Sequence, residues 1–369
     1  MINKQRVLQT FLDLVAIDSP SGHEQAIGEE LMRRFTGLGG QVERDEHGNV
    51  IARWPNGHGE WLLLSAHMDT AGQDTGIKPQ VRDGIIYSDG TTILGGDDKS
   101  GVAAILEVLC SLREAELPHP PLEVVISIGE EAGLLGARLL DKSKLRARQG
   151  YVLDAGGPIG TIAVSAPSQD SLGVTIIGKT AHAGSEPERG INAIRVACEA
   201  IAAMPLGRID PETTANIGII QGGTARNIVP ERVCIVGEAR SRNPARLEAQ
   251  TAAMVRAFQE AAGRHGARAE IEVTRAYSGY CLTEATPMVA HAAAAARRLG
   301  LTPFYHDSGG GADANIYNAA GMSCAVLSTG MANVHTPQES IAIADIFNAA
   351  RLLQEIVTTR KEQRIGHGQ

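Results

Sequence analysis

The sequence predicts an α/β fold: a mostly parallel mixed sheet sandwiched by helices, with a smaller α+β unit inserted into it. Three observations predict it. Short, nearly continuous apolar runs end in polar residues: WLLLSAHMD at 61–69, LEVVISIGEE at 122–131 and YVLDAGG at 151–157. Strands buried on both faces read this way. Between them lies helical apolar spacing, as in SGVAAILEVLCSLREA at 100–115, and such alternation builds parallel sheets. The texture then changes near residue 166. From there to about 275 the order reads strand, helix, strand, strand, helix, strand, which suggests a compact insertion.

Element by element, residues 4–16 and 23–36 read as helices. Ser21, with Glu24 three residues later, reads as a capping box for the second. QVERD and VIARW flank a turn at His47-Gly48-Asn49 and predict a hairpin. VRDGIIYS predicts one short strand. The insertion is DSLGVTIIGK, INAIRVACEAIAAM, TANIGIIQGG, VCIVGEARS, PARLEAQTAAMVRAFQEAAGRHG and AEIEVTRAY. Beyond it, TPMVAHAAAAARRLG is helical, PFYHDS leads through a Gly-rich turn to another helix, MSCAVLST is a strand and 343–360 is the last helix. The tail EQRIGHGQ is expected to be disordered. The expected domains are 1–165 with 276–369, and 166–275.

The bulk numbers set the class. A chain of 369 residues with 43% apolar and 21% charged residues has ordinary globular composition and length for two domains. Its formal net charge of −8 argues against nucleic acid or an anionic membrane as partner, since both select basic patches. No apolar run approaches the ~20 residues that span a bilayer. The stretch MINKQRVLQTFLDLVAI reads as the first helix and not as a signal peptide. The five cysteines are scattered, odd in number and never in a CxxC pair. That pattern fits a reducing cytoplasm and argues against cysteine ligation of a metal.

Five acidic or histidine sites share a placement, each expected just after a buried strand, where open parallel sheets bind ligands. His67 and Asp69 end WLLLSAHMD, and period-two spacing puts both on one face of an extended chain. Asp69 could serve as the acceptor that a ligating histidine needs on its other nitrogen; HxD alone equally fits a surface histidine. Asp97 and Asp98 in GGDDKSG suit either an ion-bridging position or charges at a helix start. Glu130 and Glu131 end a very apolar strand and repel one another unless a cation is present. They read as a ligand beside a general base for water, or as a solvated strand end. Asp154 in YVLDAGG and His335 in MANVHTPQE are each ordinary alone, the latter a loop-to-helix boundary with Pro337 and Glu339 beyond it. Together they form a hard-to-borderline ligand set with no thiolate, fully used by two zinc or similar ions sharing a carboxylate.

Substrate contacts are suggested by Asn227 in the loop GGTARNIVPE and by Arg240 in GEARSRN, whose guanidinium could clamp a carboxylate. Both also fit solvated surface positions. HDSGGGADAN, with Gly310 and Asp313, offers a glycine turn before a helix N-terminus, either an anion cradle or simply a tight turn.

SAHMDT, DDKSG, GEEAGLLGA, VLDAGG and NVHTPQE, with GKTAHAGSEPERGINAI at 178–194, occur in one order over residues 5 to 360. In that order they resemble the M20 metallopeptidases, and the DDK form and VLDAGG are most similar to the peptidase T-like branch. The resemblance implies a zinc-exopeptidase-like catalytic domain with two Zn2+, for which Co2+ or Mn2+ can substitute. His67, Asp97 and Asp154 would hold one ion, and Asp97, Glu131 and His335 the other. Asp69 would orient His67, Glu130 would be the general base, and the Asp97–Asp98 peptide would be cis. His182 would reach the active site of a partner subunit and help hold the oxyanion. The inserted domain would be a lid that forms a homodimer, through DSLGVTIIGK as an edge strand or through helix 190–204.

The implied activity is release of the N-terminal residue from short peptides, as an aminopeptidase or tripeptidase. A carboxypeptidase, an N-acyl amino acid deacylase and a non-catalytic metal-stabilised binding protein are the alternatives. The M42 aminopeptidases share similar metal motifs but lack the AHAG-type histidine. The triglycine stretch differs from the loop of tripeptidases, which leaves the substrate open.

Overall fold

The computed structural model describes residues 1–359; the tail EQRIGHGQ lies outside them. The chain divides into two compact units. The larger comprises Met1–Ser165, Cys281–Ser308 and the chain from Ala312, and the smaller comprises Ala166–Tyr280 with Gly309–Gly311.

The larger unit opens with α1 (Lys4–Val15), α2 (Gln25–Gly37), β1 (Gln41–Arg44), β2 (Val50–Trp54) and β3 (Leu62–His67). Next come β4 (Gln80–Arg82), β5 (Ile85–Tyr87), α3 (Gly96–Glu114), β6 (Leu122–Ser127), α4 (Leu135–Leu139), β7 (Gln149–Gly156) and β8 (Thr161–Ala166). The insertion holds β9 (Ser168–Ile177), α5 (Ala193–Ala203), β10 (Gly207–Asp210), β11 (Thr213–Gly222), β12 (Arg232–Ser241), α6 (Pro244–His265) and β13 (Arg268–Tyr277). After β14 (Tyr280–Cys281) come α7 (Pro287–Arg298), β15 (Phe304–Asp307), α8 (Asp313–Ala319), β16 (Ser323–Met331), β17 (Ser340–Ala342) and α9 (Ile343–Thr358).

Among the described residues, the large sheet has the order β1-β2-β6-β3-β7-β16-β8-β14, with β15 also on β8. Its centre, β6-β3-β7-β16, is parallel. β1, β2 and β8 join in antiparallel pairs, so the sheet is mixed. Every residue of β3 and β6 is buried, because helices cover both faces of the central strands. Alternation along β3 shows this directly. Leu62, Leu64 and Ala66 join the core cluster that includes residues of α1, α3 and α9, while the Ser65 hydroxyl lies 3.2 Å from the Tyr317 hydroxyl of α8.

The smaller unit is an antiparallel sheet of order β10-β11-β12-β9-β13. Leu172, Val174, Ile176, Val233 and Ile235 pack against Val196 and Ala200 of α5 and Met254 and Phe258 of α6. The alternating burial of β9 is that of a sheet covered on one face.

Several expectations change. DSLGVTIIGK is not an edge strand: β9 is paired with β12 on one side and β13 on the other, and β10 and β13 form the edges. VRDGIIYS is two strands, β4 and β5, turning at Asp83 (φ 49°) and Gly84 (φ 79°). An Asp-Gly pair supplies the two positive φ values that a two-residue hairpin requires. This hairpin forms a separate sheet with β17. Ser21 and Glu24 form no capping box, since Glu24 caps α2 with no side-chain bond. Its Oε1 instead accepts from Gly22 N–H at 2.9 Å and Gly129 N–H at 3.0 Å, and the Ser21 hydroxyl donates to Asp69 Oδ2 at 2.6 Å. β8 and β10 were not anticipated. No helix among the described residues is long and apolar enough to cross a membrane.

Candidate metal centre

The larger unit brings five sequence-expected side chains together. His67 is the last residue of β3, Asp154 lies in the C-terminal half of β7, and Glu131 follows β6 by four residues. Asp97 sits in the non-helical first turn of α3 and is joined to Asp98 by a cis peptide. His335 occupies a left-handed position (φ 62°) beyond β16, a conformation that costs a non-glycine residue on the order of 1 kcal/mol and is held by its surroundings. One ligand atom from each of His67, Asp97 and Asp154 lies within 4.8 Å of the others, and the same holds for Asp97, Glu131 and His335, and for His67, Glu130 and Glu131.

Asp97 stands at the centre. Its Oδ1 is 3.1 Å from His67 Nε2 and its Oδ2 is 3.3 Å from His335 Nε2. His335 Nε2 is also 2.7 Å from Glu131 Oε1. The far side of the His67 ring is fixed: Nδ1 lies 3.1 Å from the Asp69 carbonyl oxygen and 3.2 Å from Asp69 Oδ1. Both partners accept, so Nδ1 keeps a proton whatever the state of the ring, and Nε2, turned to Asp97, is the nitrogen left to take an ion once its own proton is lost.

A close approach of α3 to β7 shapes this centre. A Cβ on Gly101 would lie 2.4 Å from the Leu153 carbonyl oxygen and 2.5 Å from Asp98 Oδ1. Glycine there lets the Asp97 turn lie beside the strand that carries Asp154.

The electrostatics are those of a site short of positive charge. Burial, with the neighbouring Asp97 and Glu130 charges, pushes Asp154 well above the usual carboxylate range. Burial, then Asp313, Glu131 and Asp97, push Glu130 the same way against the pull of His67. Asp97 moves down, because hydrogen bonds with His335 and His67 outweigh its burial. Those with Asp97 and Glu131 raise His335 to about 10. Glu131 Oε1 is buried, and its contact is the His335 Nε2 at 2.7 Å. Converging carboxylates and imidazoles and buried acids whose charged forms burial disfavours fit divalent cations of hard-to-borderline character.

The remaining expected residues lie elsewhere. Asp313 is 1% exposed, with one oxygen accepting from the Ser127 hydroxyl and Oδ1 unpartnered. It is therefore buried and not displayed as a surface contact. Glycine at 311 serves close approach, since a Cβ would lie 2.4 Å from the Tyr277 ring. In the smaller unit, Arg240 is held by Glu238 through Nε at 2.9 Å and Nη2 at 3.0 Å, and its Nη1 would lie 3.9 Å from a Cβ on Gly310. Asn227 and His182 are on adjoining, bridged segments: Ala183 N–H donates to the Asn227 carbonyl at 3.0 Å. His182 Nδ1 accepts from Gly184 and Ser185 N–H, both at 3.1 Å, which leaves Nε2 as the protonated nitrogen.

Sequence reasoning missed the supporting residues. Ser21, Glu24, Ser127 and Glu339 make long-range bonds around the centre. Lys99 is fully buried, with Nζ donating to the Ile17 carbonyl at 2.8 Å, and burial lowers its pKa to about 7. Its signal was the third letter of DDK.

An α/β sheet with histidines and carboxylates gathered at its strand ends is the frame of a metal-dependent hydrolase. The profile of peptidase family M20/M25/M40 matches residues 63–359, and the chain belongs to this family of metal-dependent peptidases. It is 42% identical to the uncharacterized protein YqjE of Bacillus subtilis (strain 168), covering 97% of this chain and 99% of that one. The crystal structure of aminopeptidase PepT from Bacillus cereus ATCC 10987 is 42% identical with a TM-score of 0.84. That of a tripeptidase from Staphylococcus aureus subsp. aureus mu50 is 41% identical with a TM-score of 0.89. Each alignment covers 97% of this chain and 98% of the other.

Proposed function

We propose that this chain is a two-zinc aminopeptidase that releases the N-terminal residue of short peptides, tripeptides among them. The observation that carries the reading is the Asp97 carboxylate, with one oxygen toward His67 and the other toward His335. His67, Asp97 and Asp154 would hold one ion, and Asp97, Glu131 and His335 the second. Bound there, the ions supply Lewis acidity toward a scissile carbonyl and acidify water; cobalt or manganese suits the same donors.

Glu130 takes a proton from the attacking water and passes it to the leaving amine. Its burial and acidic neighbours favour holding that proton between the two steps. Asp69 keeps the His67 lone pair directed at the ions. His182 of a partner subunit donates from Nε2–H to the developing oxyanion, a role its doubly accepting Nδ1 supports. Asn227 and Arg240 contact the peptide, with Arg240 toward a substrate carboxylate. The smaller unit acts as the lid and forms a homodimer. Five free cysteines, three of them exposed, support a reducing cytoplasm.

Metal-stripped protein, reconstituted with zinc, cobalt or manganese, is to be assayed on free and N-acetylated di- and tripeptides. Metal-dependent release of the N-terminal residue from free peptides alone is expected. Cleavage of the acetylated series would replace this reading with a deacylase or carboxypeptidase.

A further inference from the structure

Glu339 lies four residues beyond His335 and is 1% exposed. Among the described hydrogen bonds its carboxylate meets no cationic side chain and is used on backbone. Oε2 accepts from Leu94 and Gly95 N–H, both at 2.8 Å, and Oε1 accepts from Asp97 N–H at 3.0 Å. Three N–H groups of one turn thus converge on one anion, as in a backbone nest. Gly95 has φ 73°, and a Cβ on Gly96 would lie 3.1 Å from Glu339 Oε1. Two glycines bring that turn around the carboxylate.

The other end of Glu339 is equally fixed. Ala332 and Ser340 exchange N–H···O bonds at 2.9 and 3.0 Å, and Glu339 N–H donates to the Thr336 carbonyl at 3.0 Å. Ile341, two residues on, pairs with Ile86 of β5. Residues 332–340 therefore form a closed loop with His335 inside it and Glu339 at its base.

We propose that Glu339 is a positioning residue that locks the His335 loop to the Asp97 turn, so that the two proposed ligands from separate elements keep a common spacing. The inference rests on the two-metal reading. Burying a carboxylate without a cationic partner is costly unless several N–H groups compensate. Here those N–H groups belong to the turn that presents Asp97. A purely structural acid would influence folding alone, whereas a positioning acid controls metal retention in folded protein.

The test is Glu339→Gln, whose amide offers one acceptor oxygen where three N–H groups need two. Zinc affinity is to be measured by chelator competition on folded protein, beside the thermal midpoint and the kcat and KM of the zinc-loaded enzyme. Zinc binding weakened about 10–100-fold, with kcat reduced and KM little changed, is expected. Wild-type affinity and kcat in the variant would overturn the proposal. If the variant does not fold, amide exchange in metal-free wild-type protein decides. Slow exchange at Leu94, Gly95 and Asp97 supports the lock, and open-loop rates there overturn it. Wild-type protein that binds no zinc would sink the two-metal reading instead, and the same exchange rates would still decide whether Glu339 holds the turn.

Discussion

The N–H of Glu130 donates to Oδ1 of Asp69 at 3.0 Å. The same carboxylate accepts from Glu131 N–H at 3.1 Å and the Ser21 hydroxyl at 2.6 Å, and stands 3.2 Å from His67 Nδ1. One side chain thus fixes a histidine at the end of β3 and both glutamates after β6. An amide in its place sets a donor against donors. Asp69→Asn is expected to weaken zinc binding about 10–100-fold, read by chelator competition. Undiminished affinity would remove the orienting role.

Glu130→Gln separates base from ligand. Its zinc content should equal that of the parent by elemental analysis, while turnover falls about 10²–10⁴-fold. If zinc leaves together with activity, Glu130 is a ligand and the proton carrier must be sought elsewhere.

Metal affinity should climb with pH. In the metal-free centre, hydrogen bonds with Asp97 and Glu131 keep His335 protonated up to about 10. Burial pulls His67 down, but bonds with Asp69 and Asp97 outweigh it and hold it protonated as well. An ion takes the neutral imidazole, so binding expels protons and log K rises by about one per pH unit for each. Calorimetry in buffers of differing ionisation heat counts them. A flat affinity from about pH 6 to about pH 9 would contradict this protonation state.

Asp313 makes a stability prediction of opposite sign to a salt-bridged acid. Burial lifts its carboxyl to about 6, against the Ser127 hydrogen bond. The protonated form is the one the fold prefers. Its contribution is complete below the unfolded value of about 3.9 and lost as pH rises through about 6. Asp313→Asn keeps an acceptor for Ser127. It should stabilise metal-free protein more at about pH 8 than at about pH 4, by on the order of 2 kcal/mol. Paired thermal melts test it; an equal effect at both pH values would reassign the burial penalty.

The central strands were legible because burial on both faces leaves a continuous apolar run, as in LLLSAH and LEVVIS, and the polar residue that breaks each run marks the strand end. That rule placed His67 at the end of β3, and Glu130 and Glu131 just beyond β6, without knowledge of their neighbours. Ser21 and Glu24 were misread for a physical reason. A spacing of three suits a local cap, and nothing in the sequence shows that Asp69 and Gly129 compete for the same side chains. Glu339 was invisible for the same cause, since its three partners lie more than 240 residues away. β9 showed its strand pattern but not its neighbours; only pairing with β13 reveals that it is internal.

Every side chain of the ligand cluster belongs to the larger unit, while His182, Asn227 and Arg240 fall in the stretch inserted after Ser165. The residues that would hold the ions thus lie on different lengths of chain from those that would meet the peptide and the oxyanion, so transplanting residues 166–280 alone would carry His182, Asn227 and Arg240 and leave the ligand set behind.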